Sequence, residues 1–441
     1  MIDLVNILQE MDRRKIAFSA TAAWVFVVVV VFSGPSIILL SGLGPNNKTT
    51  ATIQLLSSNS SNDDNNNNGA PQSTQDSSTP QLSDSSLQGE LVVKGLQQPT
   101  SMKFVDQNNI LILEKETGEV RLVSNGKLQP DPVFQTTVES QSERGMLGVA
   151  VSNASAATAN GTTTKNVFLY HTEQGNSSED VRNRIYKYDW DGGSSKFGEG
   201  KLILDLPATP GPNHDAGKLV IGPDGMLYAV IGDQNRDGMD QNFENGPPPD
   251  DTSAIFRIDQ NGNAAKDNPL SDNDPAINAV LSKYYAYGIR NSFGLDFDPV
   301  TGKLWDTENG PLSNDEINVV APGFNSGWQD VQGPIERTGK TTDGLVQFKG
   351  SHYQDPVFTW ATPPAVTDIE FFKSTKLGEK YANNIFVGDY NNGNLYFFTV
   401  NKERSGLVLD GNGLQDLVVD NPSEASKVTF GTGFKGGITD I

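Results

Sequence analysis

The sequence predicts an all-β chain: a six-bladed β-propeller set behind an N-terminal apolar segment and a polar linker. Three observations point there. Short apolar runs alternate with turns rich in Asp, Asn and Gly, and helical periodicity is scarcely visible. One unit, apolar strands joined by such turns, recurs recognisably along the chain. The recurrences lie about 45–75 residues apart, the range of propeller blades that carry insertions. Four-stranded blades set around an axis leave few open sheet edges and need no helices. A β-sandwich is the alternative architecture.

The elements follow in chain order. Residues 1–15 form a cytoplasmic segment that ends in Arg13, Arg14 and Lys15. No charge falls between Ala17 and Leu43, and Trp24–Phe32 is solidly apolar. Residues 16–43 are therefore expected to be a transmembrane anchor, or a signal peptide broken at Gly34-Pro35. The basic residues ahead of it predict a single-pass cell-membrane protein whose main domain is extracytoplasmic, or secreted after cleavage. Residues 44–89 are Ser, Asn, Asp, Gln and Thr with few large apolar residues. Such a segment buries too little surface to offset its ordering entropy and reads as a disordered linker. The propeller domain is expected over 90–441. Its units run over Met102–Val123, Leu147–Trp190, Lys218–Ile258, Gly294–Val319 and Ile369–Val400. The last residues, Gly436 to Ile441, read as the start of a first strand with no second strand after it. The closing blade is thus expected to be short, as in a truncated chain.

The bulk numbers exclude some functions. The net charge of −21 argues against nucleic acid as a partner, because phosphate binding needs basic patches. Cysteine is absent, so there is no thiolate metal site and no cysteine nucleophile. No Walker loop, HExxH, GxSxG or strand–GxGxxG–helix pattern occurs. Five glycosylation sequons, at Asn47, Asn59, Asn153, Asn160 and Asn176, fit an extracytoplasmic domain.

What remains is a set of polar motifs beside predicted strands. Asn213-His214-Asp215 precedes two apolar runs split by Gly222-Pro223-Asp224-Gly225, which is hairpin chemistry. That places one of only three histidines at a strand mouth, where it is a general-base candidate or a loop cap. Asp233, Asn235, Asp237, Gly238 and Glu244 match the EF-hand calcium pattern, without flanking helices. The other reading of that segment is a hydrogen-bonded polar loop. Arg290 and Asn291 offer fixed donors to an anionic or carbonyl oxygen, or tie two blades together. Gly310-Pro311 leaves two adjacent carbonyls free to turn toward a cation, with the carboxylates of Asp315 and Glu316 close by. Glu143-Arg144 opens a further strand.

In this order the motifs resemble the glucose/sorbosone dehydrogenase family, which includes PQQ-dependent soluble glucose dehydrogenase and the aldose sugar dehydrogenases. The matching stretches are Glu143–Ala150, Asn213–Gln234, Ile255–Asn263, Tyr287–Trp305 and Glu308–Trp328. The resemblance implies a six-bladed propeller with its site at the top of the central channel. It implies oxidation of an aldose sugar at C1 to the lactone, with PQQ and Ca2+ as cofactors and an electron acceptor that the sequence does not identify. His214 is similar to the family's general base, with Asp233 and Glu143 beside the substrate. Arg290, Asn291 and Lys373 match residues that hold PQQ, and Gly310, Pro311 and Glu316 lie in the calcium-binding motif. The chain departs from the family at Asn213, Ala216 and Ser326, and the segment Asp389–Gly393 lacks basic anchors. Those departures leave a second reading, a non-catalytic extracellular propeller that binds sugar or protein.

Overall fold

The structure is a computed structural model that describes residues 29–32, 36–42, 80–157, 163–175, 177, 180–192, 195–409 and 413–441. The predicted hairpin at Leu219 shows how its sheets arise. Leu219–Ile221 pairs antiparallel with Leu227–Ile231. Gly225 turns the corner at φ 77°, in the left-handed region that glycine tolerates. All five residues of Leu227–Ile231 are buried, because that strand is covered on both faces. Its apolar run is continuous rather than alternating for that reason.

The described strands form six sheets. Their innermost strands are β1 (Pro99–Phe104), β2 (Met146–Ala157), β3 (Leu219–Ile221), β4 (Ser292–Phe297), β5 (Val366–Phe371) and β6 (Ile438–Asp440). Each lies against the next, and β6 lies against β1, so the arrangement is propeller-like. Every interface between neighbouring sheets has its own apolar core. Leu111, Val120 and Leu169 fill the first and Phe168, Leu227 and Phe256 the second. Tyr228, Leu295 and Phe297 fill the third, and Trp305, Phe358 and Ile385 the fourth. Phe386, Phe430 and Ile438 fill the fifth, and Val93, Met102 and Ile112 close the set. Burying one such side chain contributes about 1.5–3 kcal/mol. Three short α-helices, Pro275–Leu281, Ile335–Thr338 and Pro422–Val428, sit in connections among the described residues.

The closing sheet differs from expectation. Its strand order is Ile438–Asp440, Val29–Phe32, Ser36–Gly42, Leu87–Lys94. The stretch predicted as a transmembrane anchor over 16–43 is thus strand wherever the structure describes it. Among the described residues no helix is long and apolar enough to cross a membrane. The reason is physical. A charge-free run rich in Val satisfies a bilayer-spanning helix and a covered strand alike, and β-branched residues pack well on a pleated sheet. Residues 1–28, with Arg13, Arg14 and Lys15, lie outside the described residues.

The linker boundary also moves. Gln81–Leu82 pairs with Thr429–Thr432, and Leu87–Lys94 is a full strand, so residues from 80 onward belong to the sheets rather than to the linker expected up to 89. The rest of the predicted linker lies outside the described residues, as do Asn47, Asn59, Asn160 and Asn176.

Candidate active site at the mouth of the central channel

The inner strands β1 to β5 start at one end of the ring, so the segments that enter them share a face. Glu143 precedes β2, His214 precedes β3, and Arg290-Asn291 precedes β4. The second strands of the third and fourth sheets return to the same face and deliver Asp233 and Asn309-Gly310. Here the Asp233 N–H donates to the Arg290 carbonyl at 2.9 Å, and the Asn309 N–H donates to the Asn291 carbonyl at 2.8 Å. Gly232 permits that approach. A Cβ there would lie 2.5 Å from both the His214 and the Arg290 carbonyl oxygens.

His214 is 8% exposed and has φ 67°, a conformation that non-glycine residues seldom adopt. Hydrogen bonds hold it there. Its N–H donates to Glu143 Oε2 at 2.7 Å, and its carbonyl accepts from Gln234 Nε2 at 2.6 Å. Its ring Nδ1 lies 2.6 Å from Asp233 Oδ1. Asp233 is fixed in turn, because Oδ2 accepts from Trp328 Nε1 at 2.7 Å and Oδ1 from the Asn235 N–H at 2.7 Å. A carboxylate on Nδ1 selects the tautomer with its proton there and leaves Nε2 as the acceptor. This is the geometry of an oriented base.

Glu143 Oε2 also accepts from Asn291 Nδ2 at 3.0 Å, which ties the second sheet's entry to the fourth's. Arg290 donates through one terminal nitrogen to the Asn309 carbonyl at 2.9 Å and the Gly310 carbonyl at 3.1 Å. Its guanidinium lies 5.3 Å from the Trp328 ring centre. Arg290 Nε and Asn291 Oδ1 are buried without hydrogen-bond partners. Unspent donors and acceptors of this kind are what a ligand engages.

A channel cavity of about 550 Å³ opens beside this cluster, lined among others by Lys115, Glu143, Lys218, Asn309, Thr367 and Tyr390. Burial lowers the pKa of the Lys115 ammonium, and nearby Glu116, Asp215 and Glu143 oppose that. Deeper in, Lys218 pairs with Asp368 at 2.7 Å and Asp440 at 2.8 Å.

The structure therefore brings together His214, Asp233, Glu143, Arg290, Asn291 and Gly310. Other expected residues stand elsewhere. Lys373 follows the far end of β5 and pairs with Asp296 at 2.8 Å, near the far end of β4. Five residues of strand separate Asn291 from Asp296, or about 17 Å. Lys373 is thus at the opposite end of the ring from the cluster, because a strand carries its two ends to opposite faces of the molecule. Glu316 also turns away. Successive residues on a strand point to opposite sides, so Asp315, not Glu316, reaches the Gly310 turn. Asp315 accepts from the Gly310 N–H at 2.9 Å and the Val366 N–H at 3.0 Å, and burial raises its pKa to about 6. Glu316 instead accepts from the Gly333 N–H and lies beside Glu308 and Asn318. Burial, then the neighbouring charge, holds Glu308 and Glu316 well above the usual carboxylate range.

The EF-hand-like segment is a hydrogen-bonded polar loop. Asp233 faces His214, Asp237 accepts from Gln329, and Glu244 is exposed, so its acids do not converge. No cluster of three His or acidic side chains suited to a metal ion occurs among the described residues. Sequence reasoning places Asp315 only near a candidate cation site and assigns no role to Trp328 or Lys115. Trp328 and Asp315 lie inside motifs that had been noticed, but hydrogen-bond partners from other sheets are invisible in a linear pattern.

Comparisons with known proteins give the family. The glucose/sorbosone dehydrogenase family profile matches residues 96–416. Quinoprotein glucose dehydrogenase B of Acinetobacter calcoaceticus is 29% identical over 271 residues, 57% of this chain and 54% of its own. Aldose sugar dehydrogenase YliI of Escherichia coli is 25% identical over 333 residues, 74% of this chain and 84% of its own. The solved structure of a Thermus oxidoreductase described as a putative glucose dehydrogenase superposes with a TM-score of 0.55 at 26% identity, covering 73% of this chain and 87% of that one. The fold is also that of the PQQ-bound aldose sugar dehydrogenase of Streptomyces coelicolor, with a TM-score of 0.54 at 24% identity, covering 73% and 82%. With the family profile spanning most of the chain, and with the ordered motifs gathered at one channel mouth, the protein is an oxidoreductase of the glucose/sorbosone dehydrogenase family.

Proposed function

We propose that this chain is a six-bladed propeller that oxidises an aldose sugar at C1 to the lactone, with PQQ as cofactor and His214 as general base. The observation that carries the reading is the Asp233–His214 pair at 2.6 Å beside the channel cavity. The relatives named as quinoprotein and aldose sugar dehydrogenases support the substrate class and the cofactor.

The residues present fit a planar quinone bearing carboxylates. Arg290 donates only to main-chain carbonyls and keeps an unpartnered Nε, Asn291 adjoins it, and Lys115 lines the cavity that their hydrogen-bond partners Asn309 and Glu143 also line. These three would hold the cofactor. When bound, PQQ supplies the two-electron acceptor that no side chain of this protein can provide. The protein's own work is proton handling and alignment. His214 Nε2 takes the C1 hydroxyl proton, and Asp233 stabilises the imidazolium that forms. Trp328 keeps Asp233 on the ring, and the Glu143 bonds to His214 N–H and Asn291 hold base and donor in register.

Calcium on the Gly310 and Pro311 carbonyls is part of the same reading. Here Arg290 lies against the Gly310 carbonyl, so a cation there requires the guanidinium to turn to another partner. An extracytoplasmic location is also proposed, on the five glycosylation sequons. Protease treatment of intact cells removes the domain if that is right and spares it if it is wrong.

The deciding experiment adds PQQ and calcium to the purified protein and follows dye reduction with a panel of aldoses. Turnover, and a changed PQQ absorbance spectrum on binding, are expected. Neither appearing would sink the reading. His214→Ala is expected to lower kcat by about 10²–10⁴-fold. Undiminished turnover in that variant would remove His214 from the mechanism.

A further inference from the structure

Directly behind His214 lies a buried carboxyl that the reaction does not use. Asp215 is fully buried. Its Oδ1 accepts from Asn183 Nδ2 at 2.8 Å, and its main-chain carbonyl accepts from the Tyr170 hydroxyl at 3.1 Å. Asn183 is itself fixed, bonded to Thr172 at 2.7 Å and to the Pro207 carbonyl at 3.1 Å. The turn that carries His214 is thus clamped by side chains of the second sheet.

The other half of the carboxyl is unsatisfied. Asp215 Oδ2 is buried with no hydrogen-bond partner. Gln234 lies against this carboxyl, and Gln234 Oε1 is also buried with no partner. The Gln234 amide cannot be turned over to repair this. Its Nε2 donates to the His214 carbonyl at 2.6 Å, and reversing it would set two oxygens at that distance. Two neighbouring side chains are therefore each left with a buried acceptor that no protein donor reaches.

We propose that Asp215 is held protonated and donates its hydroxyl to Gln234 Oε1, making it a positioning residue for His214. One proton satisfies both orphans. The chain of bonds then runs from the Asp215 hydroxyl to Gln234 Oε1, and from Gln234 Nε2 to the His214 carbonyl. It holds the left-handed turn at His214 (φ 67°) and Ala216 (φ 53°).

Electrostatics agree. Burial, then the nearby Glu143 charge, raises the Asp215 pKa to about 7, against the Asn183 bond, the Arg144 charge and the Gln234 amide. The other titratable groups around it are Lys115 and Tyr170. In the unfolded chain Asp215 ionises near 3.8. Below that pH both states carry the proton and Asp215 contributes nothing to pH dependence. Between 3.8 and about 7 the unfolded state loses its proton while the folded state keeps it, so stability falls as pH rises. Above about 7 the loss is complete and level.

The positioning role rests on His214 being the base; the protonation does not. The test uses the cofactor-free protein, so failure of the catalytic reading leaves it intact. Infrared difference spectra of wild type against Asp215→Asn at pH 6 should show a protonated-carboxyl C=O band in the wild type alone. Asparagine reproduces both hydrogen bonds and cannot ionise. The melting-temperature advantage of Asp215→Asn should therefore grow from pH 4 to 7 and then stay constant. With PQQ added, Asp215→Asn should keep activity at pH 6 and lose less of it than the wild type does above pH 7. A missing band, or a melting difference that does not change with pH, overturns the proposal.

Discussion

Two buried carboxylates stand beside the same channel and meet opposite fates. Asp440 faces Lys218 at 2.8 Å and accepts from the Met102 N–H at 2.6 Å. Burial works to raise its pKa, and the Lys218 charge outweighs that and lowers it below the usual range. Asp215 is equally buried but has no cation in contact, and its pKa rises to about 7. Burial is common to both, so it is the partner that decides. The first arrangement staples the ring. Lys218 from the third sheet reaches Asp368 on β5 and Asp440 on β6, joining three sheets in one ion triad. The second sits behind the candidate base, where an unbalanced polar group tunes a turn.

The comparison can be broken at its stronger end first. Lys218→Ala leaves Asp368 and Asp440 buried without their cation. Removing one partner of a buried ion pair costs about 3–5 kcal/mol. A melting temperature within a few degrees of wild type would show that the triad is not a staple. A hydrophobic replacement of all three groups is expected to recover most of the loss, because no buried charge is then left over.

Next comes the fixed carboxylate of the site. Trp328→Phe keeps the ring but deletes the bond to Asp233 Oδ2. Hydrogen bonds to charged groups contribute about 1.5–3 kcal/mol, so kcat should fall by about tenfold or more. KM should change little if the loss lies in the orientation of His214. An unchanged kcat would mean that Asp233 needs no support from Trp328.

The smallest effect is expected at the far end of the ring. Lys373 is half-exposed and serves Asp296 and Glu370. Lys373→Ala should cost about 1 kcal/mol of stability and leave PQQ affinity as it was. Loss of PQQ binding in this variant would return Lys373 to the site and contradict its placement here.

Much of this molecule was legible in the linear chain. The turn chemistry at Gly222–Gly225 located a hairpin that forms as expected. The five recurring units each became a sheet, because strand length, turn residues and apolar runs are local properties. The His214, Asp233, Arg290 and Gly310 motifs sit where inner strands begin or second strands end. Their convergence followed once strands were assigned, since alternate strand ends must share a face.

Three matters were not legible, each for a stated cause. The apolar run around Val29 and Ser36 suits a bilayer and a sheet equally, and only the available strand edges distinguish them. Glu316 and Asp315 are neighbours in sequence, but a strand sends them to opposite sides. The family resemblance sets Lys373 at the site, and the direction of β5 carries it to the other end of the ring. The sequence by itself determined the all-β character, the repeating unit and the residue types available for sugar oxidation, because these depend on local propensity and composition. Only the tertiary structure decided which carboxylate meets a cation, which meets the base and which is left to hold a proton, because those partners come from different sheets and a pKa depends on what lies within a few ångströms in space.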